Sequence, residues 1–262
     1  MEKTMQRAKR NKLLAWMILL LGTAIFFSGP VQAAKKKKVT VISSITVRKP
    51  SGEVVDRFTY NYNSHGLVSK KTYTSYGFQA VYKYQYNKYL KIKQETTLDD
   101  GYKTAVHTYK YNKNRQLKSS SLNLITMNEV ISFSYNWNST GQMTGWTEEQ
   151  QSGAQSDAKI TYNKNGLVQS FHEGPFDKKT YSYDKNGVVV KQKAGKKLFR
   201  KYTNTYSGKR LKTHTAYYPS GKAIYTTTIT YKTISVPASD VAAVSAQQVF
   251  SAQDPVFHMF DF

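Results

Sequence analysis

Tyr162-Asn163-Lys164-Asn165-Gly166-Leu167 and Tyr183-Asp184-Lys185-Asn186-Gly187-Val188 are two copies of one phrase, already present at Tyr62-Asn63-Ser64-His65-Gly66-Leu67. Looser copies begin at Tyr86, at Tyr111 (with Arg115 in the glycine slot), at Trp137, at Tyr206 and, most worn, at Tyr231. The anchor aromatics 62, 86, 111, 137, 162, 183, 206 and 231 are spaced by 24, 25, 26, 25, 21, 23 and 25 residues. A fixed period of this size marks a repeat architecture in which each unit buries its apolar face against its neighbours.

A second turn signal falls between most anchors: Ser51-Gly52, Tyr76-Gly77, Asp100-Gly101, Ser152-Gly153, Glu173-Gly174, Ala194-Gly195 and Ser220-Gly221. Gly and Asn supply the positive φ of tight hairpin turns. The segments between turns alternate, as in Phe58/Tyr60/Tyr62, Tyr82/Tyr84/Tyr86 and Ile131/Phe133/Tyr135/Trp137, with Thr, Asn, Lys, Gln and Ser on the other face. This pattern predicts an all-β fold of about eight antiparallel hairpins. Sixteen strands at about 4.8 Å each would make a flat sheet roughly 75 Å wide. Twist forbids that, so the sheet curls into an open spiral or a barrel-like closure. A barrel of this size is too wide for side chains alone to fill. The non-repeat tail, residues 236–262, is a candidate plug, with Val241, Val244, Val249, Phe250, Val256, Phe257, Met259, Phe260 and Phe262.

Tyr181-Ser182-Tyr183-Asp184-Lys185-Asn186-Gly187-Val188 resembles the YD repeat of the RHS family, and the resemblance extends over residues 50–235. It implies a secreted or surface protein whose repeats wrap into a β-sheet shell around cargo. Asn replaces the repeat Asp in most copies here, and the chain is short. The family's repeats imply no catalytic residues.

The N-terminus reads as a signal peptide, 1–34. Lys3, Arg7, Lys9, Arg10 and Lys12 charge its start, Leu13–Phe27 is apolar, and Val31-Gln32-Ala33 is a small-x-Ala cleavage site. Residues 35–49 then form a basic segment and first strand. The full chain carries +23, of which the leader accounts for +4, leaving +19. There is no cysteine, which excludes disulfides and thiolate metal sites. The expected location is secreted or cell-wall-associated, with no integral membrane span after leader cleavage. A bacterial, Gram-positive exterior fits this style. An outer-membrane barrel is disfavoured because Lys and Thr occupy most outward positions.

Such charge attracts polyanions. The expected partner is an anionic or carbohydrate cell-surface polymer, with a protein partner as the alternative; no nucleic-acid motif is present. Lys35, Lys36, Lys37 and Lys38 form the concentrated basic run. Several aromatics lie outside the repeat register: Tyr76, Phe78, Tyr89, Tyr102, Trp146, Phe176, Tyr217 and Tyr218. Stacked aromatics hold sugar faces or bases, and Tyr76, Tyr102, Trp146, Tyr217 and Tyr218 are the candidates for that role. The histidines are scattered, Asp99-Asp100 and Glu148-Glu149 lack an identifiable catalytic partner, and no nucleophile elbow or phosphate loop occurs. The reading is therefore non-catalytic, without cofactor or metal.

Overall fold

The structure, a computed structural model, describes residues 35–253, with side chains as far as Gln248. The expected leader and its cleavage site lie outside the described residues. So do residues 254–262 and the side chains of Val249 and Phe250.

Alternation of polar and apolar residues produces the strands, and the hairpin turns order them up and down. The strands are β1 (Lys36–Arg48), β2 (Val54–Tyr62), β3 (Val68–Ser75), β4 (Phe78–Tyr86), β5 (Ile92–Asp99), β6 (Tyr102–Tyr111), β7 (Leu117–Leu124) and β8 (Glu129–Trp137). They continue as β9 (Met143–Gln150), β10 (Gln155–Tyr162), β11 (Val168–Glu173), β12 (Lys179–Tyr183), β13 (Val189–Ala194), β14 (Lys197–Ser207), β15 (Arg210–Tyr217) and β16 (Ala223–Pro237). Each pairs with its sequence neighbours, and β1 meets β16, so the sixteen strands form a closed barrel. The choice between spiral and closure is thereby decided. Side chains support the seam, where Ser43 and Ser44 hydroxyls lie 2.8 and 2.7 Å from the Thr230 hydroxyl.

Period two is plainest in two strands. In β8 and β14 burial alternates residue by residue, with Phe133 and Tyr202 inward and Ser132, Ser134, Lys201 and Thr203 outward. The inner face holds clusters such as Phe133, Trp146, Ala158 and Phe171, and Ile42, Ile45, Tyr60, Val188 and Ile229. Outward positions in β8 and β14 are mainly polar, including Lys201, and a lysine at a bilayer midplane would cost about 2–4 kcal/mol. No helix among the described residues is long and apolar enough to cross a membrane.

The anchor aromatics show why the repeat exists. Apart from Tyr206, whose hydroxyl goes to the Asp184 carboxylate, each donates to a carbonyl one hairpin upstream, among them Tyr86 to Val68, Tyr111 to Ile92, Tyr162 to Met143 and Tyr231 to Leu211, at 2.6–2.8 Å. Trp137 does the same through its indole nitrogen, to Leu117. The worn copy at Tyr231 is thus fully functional as an anchor. Burial pushes the hydroxyls of Tyr62, Tyr86 and Tyr111 up to about 12, which suits groups whose task is to donate.

The Asn or Asp after each anchor from Tyr62 to Tyr183 builds the turn. Asn163 Oδ1 accepts from the amides of Asn165 and Leu167 at 2.9 and 3.1 Å, and Asp184 Oδ1 accepts from Asn186 and Val188 at 2.9 and 3.0 Å. Only an acceptor oxygen is needed, so Asn and Asp serve alike.

After β16, a 3₁₀ turn (Ala238–Asp240) leads into helix α1 (Val241–Gln253). Val244, Val241 and Ala243 pack on Val41, Leu67 and Val236 at the anchor end of β1–β3. Gln247 and Gln248 accept from the amides of Val68 and Ile42 at 3.1 and 2.7 Å, and donate to the hydroxyls of Tyr86 and Tyr62. Asp240 meets His65 at 2.8 Å, and that bond from His65 holds its carboxyl below the usual range. The tail's described part therefore docks onto the inner wall at the anchor end.

Candidate functional site

The two turn classes lie at opposite ends of the barrel. The anchor end gathers Lys88, Lys91, Lys113, Arg115, Lys164, Lys185 and Lys209 in its turns, against the acid Asp184. The opposite rim mixes Lys49, Lys178, Lys196 and Lys222 with Glu53, Asp100 and Asp177. Positive charge is thus concentrated at one end, and Lys37 and Lys38, at the start of β1, belong to that end. Lys35 and Lys36 precede them and are also exposed.

Between the β4–β5 and β6–β7 turns lies an open cleft of about 610 Å³ lined by Tyr89, Lys91, Lys110, Lys113 and Arg115, together with Asn87 and Asn112. The two Asn residues fix it: Asn87 Oδ1 accepts from the amides of Tyr89 and Lys91, and Asn112 Oδ1 from those of Asn114 and Gln116. The fourth turn position requires left-handed backbone. Gly66, Gly141, Gly166 and Gly187 fill it elsewhere, but here it is taken by Leu90 at φ 59 and Arg115 at φ 62. Such a conformation costs a non-glycine residue about 1 kcal/mol or more. Leu90 is accounted for by the apolar cluster under helix α1. Arg115 instead lays its guanidinium 4.5 Å from the Tyr89 ring centre, with Lys88 on the same ring at 5.1 Å. The outcome is an aromatic platform ringed by cations, with no carboxylate in its lining.

The sequence-derived candidates divide between the two ends and the interior. Tyr76, Tyr102, Tyr217 and Tyr218 all reach the rim opposite the basic end, so they do not form one site with Lys37 and Lys38. Trp146 is a correction. It is only 8% exposed and points inward, opposite Tyr135 and Ala158, with its ring 5.6 Å from Phe171. Gly145 beside it is a strand glycine; a Cβ there would fall 2.0 Å from the Ala158 carbonyl oxygen. Tyr89 was visible as an off-register aromatic, whereas Lys91, Lys110, Lys113 and Arg115 were not singled out. Arginine in the glycine slot was the available signal.

A second polar constellation lies inside the wall. Asp184 Oδ2 accepts from Tyr206 and from Asn204 Nδ2, and Asn204 Oδ1 accepts from His214 Nδ1 at 2.7 Å. Burial works against the Asp184 charge, but these bonds and two turn amides outweigh it and hold the carboxyl below its ordinary range. His214 is fully buried and its pKa is depressed by burial to about 4. Among the described residues no cluster of His, Asp or Glu could hold a metal.

The fold and its two ends define a sixteen-stranded antiparallel β-barrel with a polar outer wall and a basic end. No family model matches the chain, and no curated protein matches it. Among solved structures it is similar to a porin-like protein from Bacteroides uniformis ATCC 8492, with TM-score 0.50 and 13% identity over 73% of this chain and 96% of that one. A porin-like protein from Bacteroides vulgatus ATCC 8482 aligns with TM-score 0.39 and 9% identity over 74% and 99% of the two chains. A structure of TcdB2-TccC3-TEV aligns with TM-score 0.33 and 14% identity over 67% of this chain and 10% of that one. The likeness to the first is one of fold.

Proposed function

We propose that the protein is an extracytoplasmic, non-catalytic binding protein that holds anionic polymers at the basic end of its barrel. The observation that carries this is the cleft at Tyr89, where Arg115 occupies a strained glycine position and four cations line the walls without an acid. Phosphate or carboxylate groups spaced along a polymer would engage neighbouring turns in sequence. Weak contacts at successive hairpins add through effective concentration. The polar outer wall and the leader-like N-terminus support life outside the cytoplasm, in solution or on the cell wall. The YD-like repeat belongs to this proposal as a relationship with RHS-type shells.

The test is retention of the protein, without residues 1–34, on purified cell walls with and without their anionic polymers across a salt series. Binding that needs the polymer and falls steeply with salt supports the reading. Absence of binding at low salt rejects it.

A second reading, a shell enclosing its own tail, is favoured by one observation: Gln247 and Gln248 cap wall amides and anchor hydroxyls from within. Deleting residues 241–262 would then lower the melting temperature and admit a hydrophobic dye; an unchanged melt removes this role.

A further inference from the structure

The rim opposite the basic end carries most of the exposed large apolar side chains. Tyr76 is 71% exposed, Tyr102 79%, Met127 70% and Phe176 67%, with Phe199 and Tyr218 about half exposed. They sit at or beside the tips of the β3–β4, β5–β6, β7–β8, β11–β12, β13–β14 and β15–β16 hairpins. The β1–β2 and β9–β10 tips, Ser51-Gly52 and Ser152-Gly153, are polar and interrupt the ring on opposite sides. Tyr76 even adopts φ 45 to stand at its tip, a conformation that ordinary residues avoid.

We propose that this rim docks the barrel onto the interface of a lipid bilayer bearing anionic headgroups, each tip inserting one apolar side chain. Four features favour a lipid interface. The apolar groups protrude singly around an open mouth, without the continuous apolar centre that a protein interface needs. A bilayer surface yields to separate protrusions. Met127, Phe176 and Phe199 offer no polar edge to a sugar, while Tyr belongs at the headgroup level. Cations accompany the aromatics: Lys49 lies 5.4 Å from the Tyr76 ring and Arg200 4.9 Å from that of Phe199, Lys103 adjoins Tyr102 in sequence, and Lys178 follows Phe176 two residues on, beyond Asp177. The rim acids Glu53, Asp100 and Asp177 offset part of this positive charge, so contact with an anionic surface depends on the paired cations and the apolar tips together.

The absence of cysteine permits a clean test. Thr126→Cys places a single thiol at the rim and Asn114→Cys one at the basic end, each carrying an environment-sensitive dye. Vesicles of equal parts phosphatidylglycerol and phosphatidylcholine are expected to brighten and blue-shift the rim label alone. Tyr102→Ser, Met127→Ser and Phe176→Ser combined, all exposed and so without effect on folding, should weaken vesicle binding on the order of a hundredfold, if each tip buries about half its side chain. A response from the Asn114 label instead overturns the proposal, because the basic end would then be the membrane contact. A rim response that grows with protein concentration without vesicles also overturns it, in favour of a second copy of this chain. So does one that needs a glycan rather than lipid.

Discussion

The indole nitrogen of Trp137 donates to the Leu117 carbonyl at 2.8 Å, reproducing the bond that the Tyr111 hydroxyl makes to Ile92 one repeat earlier at 2.7 Å. What recurs along this chain is therefore a donor at fixed height above the upstream hairpin, and tyrosine is its usual carrier. Neighbouring hairpins are tied by side chain as well as by their ladder.

Removing one donor leaves a half-buried carbonyl unsatisfied. Tyr111→Phe is expected to cost about 1–2 kcal/mol, and Trp137→Phe a similar amount plus lost packing. Trp137→Tyr, which restores the donor type, should recover part of it. Urea midpoints of the three variants check the ranking; equal stability of Tyr111→Phe and the parent protein would refute the role of the bond.

Asp184 differs from the other turn acceptors because its second oxygen also receives Tyr206 and Asn204. Asp184→Asn keeps the turn but turns a donor toward two donors, at a cost of roughly 1–3 kcal/mol. Asn163→Asp changes a turn with no such second partner and should be near neutral. A chemical-denaturation comparison separates them, and matching losses would mean that the turn alone is at stake.

His107 and His214 are buried and held to about 4, against 6.5 for an ordinary histidine, by desolvation. His107 sits between Ser120 at 2.7 Å and Tyr109 at 3.0 Å. The unfolded chain binds protons there first, so stability is full above pH 6.5 and falls as pH drops toward 4. Each histidine contributes roughly 3 kcal/mol to that loss. Melting temperature measured from pH 7 to 4 should decline across this window, and two histidine ring signals should remain untitrated at pH 5.5. Titration of all histidines near 6.5 would contradict their burial.

Gly66 joins the turn to helix α1. A Cβ there would lie 2.3 Å from Val236 Cγ1 and 3.0 Å from Val244 Cγ2, at φ +77, whereas Gly52, at φ +89, has nothing within 4 Å. Gly52→Ala carries backbone strain alone, about 1 kcal/mol. Gly66→Ala adds a collision with buried residues and should cost at least about 2 kcal/mol more while loosening the helix. Hydrogen exchange of the α1 amides reads this directly; unchanged protection in Gly66→Ala would show that the helix does not depend on the contact.

Strand number, inward face and turn positions were legible in the sequence because period two and the glycine-bearing turns are local properties. Trp146 shows where local reading failed: Gly145 serves a close approach to Ala158, a residue that lies across the sheet. Closure was not readable either, since Ser44 and Thr230 meet only after the whole wall has turned. The two turn classes alternate visibly along the chain, yet their segregation into a basic end and an aromatic rim emerges only when the hairpins stand side by side.

Arg115 brings stability and proposed function into opposition. Its φ of 62 is the conformation that glycine adopts in the same position of four other turns, so Arg115→Gly relieves strain and should raise stability by up to about 1 kcal/mol. The same change removes the guanidinium from the Tyr89 ring and one cation from the cleft. If the cleft holds an anionic polymer, retention on polymer-bearing walls should weaken several-fold and its salt dependence should become shallower, while the melting temperature holds or rises. Gly166→Arg, which places the same strain in a turn beside Lys164, should lower stability without improving retention to the same degree, because that turn has no aromatic at the Tyr89 position. Unaltered retention in Arg115→Gly would mean that charge summed over the whole end, and not this cleft, does the holding.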